Sequence, residues 1–110
     1  MDENDWTVRQ ESASDPSTPA EMLEQLASDE FAAVRWCVAE NPSVSVEILE
    51  RLSHDSKWDV RLAVAENPAV PVSVLEQLAH DPHLDVRKSV AMNPRTPAAV
   101  RDGLNIFRPD

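Results

Sequence analysis

Residues 60–85 read VRLAVAENPAVPVSVLEQLAHDPHLD, and residues 34–59 before them read VRWCVAENPSVSVEILERLSHDSKWD. Most columns agree when the two segments are laid on one another. The frame extends outward at the same 26-residue step to VRQESASDPSTPAEMLEQLASDEFAA (8–33) and VRKSVAMNPRTPAAVRDGLNIFRPD (86–110). A period between 20 and 50 residues marks a repeat architecture, in which each unit buries its apolar face only against its neighbours. The expected organisation is one domain, 1–110, built from these four units.

Each unit carries two short helical patterns. In the first, Val60, Ala63 and Val64 fall at i, i+3 and i+4, on one face of a helix. In the second, Val74, Leu75, Leu78 and Ala79 share a face. Thr18-Pro19-Ala20-Glu21 spells a capping box with proline at the first helical position, and Thr96-Pro97 repeats the cap. No unit alternates β-branched residues as a strand would, so an all-α fold is expected. Asn41, Asn67, Asn93 and, in the first unit, Asp15 each precede a proline. A residue before proline is pushed out of the α region, so the first helix of each unit must stop there. The Asx side chain can bond nearby backbone groups and complete the corner. These residues are read as structural.

The third unit resembles the leucine-rich repeat variant family, whose units follow V-R-x-x-V-A-x-N-P-x-T-P-x-x-V-L-x-x-L-A-x-D-P. The resemblance covers roughly residues 7–107. It implies a right-handed α-solenoid of alternating α- and 3₁₀-helices with no sheet. Some members of that family append a cysteine-rich iron–sulfur module. A cluster needs four thiolates and this chain has one cysteine, so no such cofactor is expected. The outer units depart from the pattern: QESAS replaces WCVAE in the first, and Arg101 stands in the column of Leu75 in the last. Repeat arrays need polar ends, so units 8–33 and 86–110 are expected to act as caps of a complete array.

The remaining composition bounds the partners. The chain has a net charge of −10, two lysines and no basic run. Binding to nucleic acid or an anionic membrane draws on clustered Lys and Arg, so neither is expected, whereas a protein partner, including a basic one, is. No segment approaches the ~20 apolar residues of a bilayer span. The start, MDENDW, lacks the features of a secretory signal, which suggests the cytoplasm. The single glycine leaves no phosphate loop, and no catalytic motif is present. A non-enzymatic chain is expected.

Several columns invite a functional reading. Arg9, Arg35, Arg61 and Arg87 recur once per unit, each with an acid six residues earlier: Glu3, Asp29, Asp55 and Asp81. This predicts ion pairs tying each first helix to the turn before it. His54 and His80 share a column near His83, but both follow a helix end, where histidine complements the dipole, and no metal site is expected. Cys37 occupies a small inward column and is read as a buried thiol. Glu24, Glu50, Glu76 and Asp102 form an acidic column that reads first as a solvated face. The sharper alternative is an acidic mimic of nucleic acid that inhibits a DNA-binding protein.

The best candidate for binding lies elsewhere. Residue 36 is about 200° around the helix from the inward Val34 and is expected to face out. That column runs Gln10, Trp36, Leu62, Lys88, polar at the ends and apolar in the middle. The expected site centres on Trp36 and Leu62, with Trp58 extending it and Arg35, Arg61, Glu40 and Glu66 around it. Its function would be to present a repeat surface to a macromolecular partner.

Overall fold

The structure is a computed structural model that describes residues 5–104. These fold into eight helices and, among the described residues, no strand. Four longer helices, α1 (Trp6–Ser14), α3 (Ala32–Glu40), α5 (Trp58–Glu66) and α7 (Leu84–Met92), alternate with four shorter ones. The shorter helices are α2 (Ala20–Leu26), α4 (Val46–Leu52), α6 (Val72–Leu78) and α8 (Ala98–Asp102). Each longer helix packs on the next longer one, while α2, α4 and α6 each touch the longer helix before and after them. The result is an elongated stack of 48 × 24 × 17 Å.

The core is the face that the spacing predicted. Val34, Val38, Val60, Val64, Val86 and Val90 have no exposed surface, nor do Leu49 and Leu75 from the shorter helices. Burying one such side chain stabilises by about 1.5–3 kcal/mol. Ala39, Ala63 and Ala65 are also fully buried, and Cys37 nearly so; their small side chains let neighbouring long helices lie close.

Two expectations need correction. The shorter helices are α-helical, not 3₁₀, as are all eight described. Their first turns close with i→i+4 bonds such as Leu23 N–H to the Pro19 carbonyl and Leu75 N–H to Pro71. The capping box is not formed either. The Thr18 hydroxyl donates back to the Ser12 carbonyl at 2.5 Å, and Thr96 likewise to Val90 at 2.6 Å. Both threonines therefore tie a short helix to the long helix before it, leaving Pro19 and Pro97 to flank α2 and α8 without a side-chain cap.

The Asn-Pro corners do more than turn the chain. Asn41, Asn67 and Asn93 sit in extended backbone, which ends each long helix. Their carboxamide oxygens accept the N–H groups of Ser43, Ala69 and Arg95, all at 2.8 Å. Their amide nitrogens reach the preceding long helix, donating to the carbonyls of Ala13, Ala39 and Ala65 at 2.8, 2.8 and 2.7 Å. The last carbonyls of an α-helix have no partner within the helix. Each is thus capped by the following corner. Asp15, with no long helix described before it, needs only the acceptor half and bonds Ser17. At the other end the equivalent carbonyl, Ala91, receives the Arg101 guanidinium at 2.9 Å. Arg101, which departs from the repeat pattern, supplies the donor that an asparagine supplies elsewhere.

Candidate interaction site

The arginine column lies at the N-terminal ends of the long helices. The partners differ from those predicted by spacing. Arg35 makes a side-on pair with Asp55 (Nε–Oδ2 2.7 Å, Nη2–Oδ1 3.2 Å), and Arg61 pairs with Asp81 in the same way (2.7 and 3.1 Å). Each carboxylate therefore comes from 20 residues downstream. The aspartate six residues upstream contributes its backbone carbonyl instead, at 2.7 Å from Arg35, Arg61 and Arg87. Glu3, the acid predicted for Arg9, lies outside the described residues; Arg9 bonds Asp29. Each aspartate side chain also accepts an N–H two residues on, at Phe31, Lys57 or His83. Arg35 and Arg61 are thereby committed to joining successive turns, and only 14% of each side chain is exposed. Arg87 is buried outright.

These pairs perturb titration at three groups: the hydrogen bonds from Arg9 to Asp29 and from Arg35 to Asp55 raise the two guanidiniums, and Asp29 is lowered. Burial is the largest influence on the Asp29 carboxyl and raises it. The Arg9 hydrogen bond, the Phe31 N–H and the charges of Arg9 and Arg35 together outweigh burial and hold the carboxyl below the usual aspartate value.

Trp36 and Leu62 are not fully outward. Both are half-buried and pack against the core, whereas Lys88 in the same column is exposed. A helix phase measured from Val34 ignores the neighbours: α3 lies between α1 and α5, so a large residue on its outer side still rests on them. Trp58 is more exposed, at 39%, and stacks on the His83 ring with centroids 3.9 Å apart. His83 in turn accepts the Asp85 N–H and so caps α7. His54 lies beside Gln77. No grouping of ligands suited to a metal ion occurs among the described residues. In the acidic column, Glu24 is paired with Arg51 at 2.9 Å.

Glu40 and Glu66 behave differently from the arginines. They lie one turn beyond Trp36 and Leu62, near the C-terminal ends of α3 and α5. Both are exposed, and neither forms an ion pair among the described residues. They line one depression of about 250 Å³ with Ala63, Asn67 and Pro68. A second depression of about 330 Å³ shares Glu66 and Pro68 and continues past Ser89 and Met92 to Pro94 and Arg95. The two depressions adjoin at Glu66 and Pro68 and together make a shallow groove beside the Asn-Pro turns. Burial first, and then the charge of Glu66, push the Glu40 carboxyl above the usual glutamate range. Met92 is 83% exposed, the most exposed large apolar residue described. Sequence reasoning missed Met92 and Arg95, although a methionine in the column of Ser14, Glu40 and Glu66 was a usable signal.

Stacked helix pairs joined by recurring turns define a repeat protein module. Within it, residues 58–83 match the family model described as leucine rich repeat variant. That segment begins at Trp58 and ends at His83, the two rings that stack across the unit boundary. No curated protein and no solved structure matches the chain. No described helix is long and apolar enough to cross a membrane.

Proposed function

We propose that this chain is a non-catalytic protein-interaction module of the cytoplasm. It is a right-handed solenoid of four variant repeats, 8–33, 34–59, 60–85 and 86–110, with the outer two as caps. Its binding surface is the strip of the long helices that carries Trp36 and Leu62, then Glu40 and Glu66. Trp58, Arg35 and Arg61 form its structural margin. One observation carries the reading: Arg35 and Arg61 are engaged in internal pairs at one end of the helices, whereas Glu40, Glu66 and the exposed Met92 line an open groove at the other. Exposed apolar surface on a chain this charged is more often functional than idle. Tryptophan is enriched among residues that dominate interface energy.

The test is affinity capture from expressing cells with the wild type, Trp36→Ala and, as a control on the short helices, Glu76→Lys. The expected result is a protein retained by the wild type and the control but lost with Trp36→Ala. That loss corresponds to ~2 kcal/mol or more, with helical content unchanged by circular dichroism. Identical captured sets for all three would overturn the placement of the site.

A further inference from the structure

The groove carries charges of both signs. Glu40 and Glu66 line one depression, and Glu66, Met92 and Arg95 line the next. Arg95 Nε donates to the Val70 carbonyl, which holds the guanidinium at the rim. Resting on the proposed interaction surface, we infer that this groove takes an extended peptide segment of the partner, with a lysine or arginine lodged between Glu40 and Glu66 and an apolar side chain on Met92.

The argument is charge complementarity combined with spacing. Two carboxylates facing one depression without a cation repel one another, and a bound ammonium or guanidinium neutralises both. Burial first, and then the charge of Glu66, raise the Glu40 carboxyl. Neighbouring long helices lie ~8–10 Å apart, so the midpoint of Glu40 and Glu66 is about 12–15 Å from Met92 along the stack. An extended chain rises ~3.3 Å per residue. The apolar residue therefore falls about four positions from the base along the chain, and positions i and i+4 of a strand share a face. Because a cation favours ionised Glu40, binding should release protons and tighten as pH rises through the carboxylate range.

Selection of random displayed peptides on the full chain tests this, followed by calorimetry of the best sequences. The variants are Glu40→Gln with Glu66→Gln, Met92→Glu and Trp36→Ala. The expected peptides carry a base and an apolar residue about four positions apart, and the double glutamine variant weakens them at least about tenfold. Failure to enrich basic peptides, or basic peptides indifferent to the glutamine pair, would overturn the inference. Loss with Trp36→Ala alone would leave the interaction surface standing without this occupant. Loss with the glutamine pair but not with Trp36→Ala would keep the groove and remove the surface centred on Trp36.

Discussion

The two ends of the long helices are built from the same kinds of residue and serve opposite purposes. At the N-terminal end every described acid in the aspartate column is saturated: Asp55 takes the Arg35 side chain and the Lys57 N–H, and its carbonyl takes Arg61. At the C-terminal end the asparagines are saturated below the surface, while Glu40 and Glu66 form no ion pair among the described residues. Charge by itself therefore says little about where a partner binds. What matters is whether the charge is already answered within the fold.

Breaking the closed end should cost most. Arg61→Ala leaves Asp81, whose side chain is 4% exposed, without its cation. A stranded buried partner costs ~3–5 kcal/mol, and since Arg61 is partly solvated about 3 kcal/mol is expected. For a domain of this size that lowers Tm by ~12 °C or more in a thermal melt. An unchanged melting curve would remove the linking role of the arginines.

At the other end, Asn67→Asp keeps the acceptor for the Ala69 N–H but deletes the donor to Ala39. Leaving that buried carbonyl bare should cost ~2 kcal/mol. Asp15→Asn alters a corner that needs no donor, and its effect should stay within ~0.5 kcal/mol. Equal losses from the two substitutions would contradict the ladder.

Acid should separate the ends by sign. Asp29 titrates below its ordinary value of 3.8, so its stabilisation is present above that value. It is lost as pH falls through the lower folded value. Glu40 titrates above 4.5 when folded. Its contribution is complete below 4.5 and disappears as pH rises through the folded value. Asp29→Asn should flatten the steep loss of Tm below pH 3.8. Glu40→Gln, the smallest change, should leave stability at neutral pH equal or higher by about 0.3 kcal/mol. A clear loss of stability in Glu40→Gln would mean that its carboxylate has a partner in the fold.

The residues themselves explain how much could be read in advance. Helices, corners and the inward valines follow from local rules that act within a dozen residues. The arginine partners do not, because 26 is the sum of six and 20. Asp55 is at once six residues before Arg61 and 20 after Arg35, so a periodic sequence cannot say which end of the aspartate each arginine meets. The expected exposure of Trp36 fails for a related reason: it depends on helices from two other units. The groove around Met92 lies between units as well and has no signature within one.

The asparagine ladder also gives the chain a direction of growth. Each asparagine corner reaches back for a carbonyl about one unit nearer the N-terminus, never forward. On a ribosome adding roughly 5–20 residues per second, a new repeat emerges every few seconds and finds its acceptor already synthesised. Each addition can zip onto the last without waiting for later repeats to emerge. A nascent chain released after any corner would carry one bare helix end, and only at its newest edge.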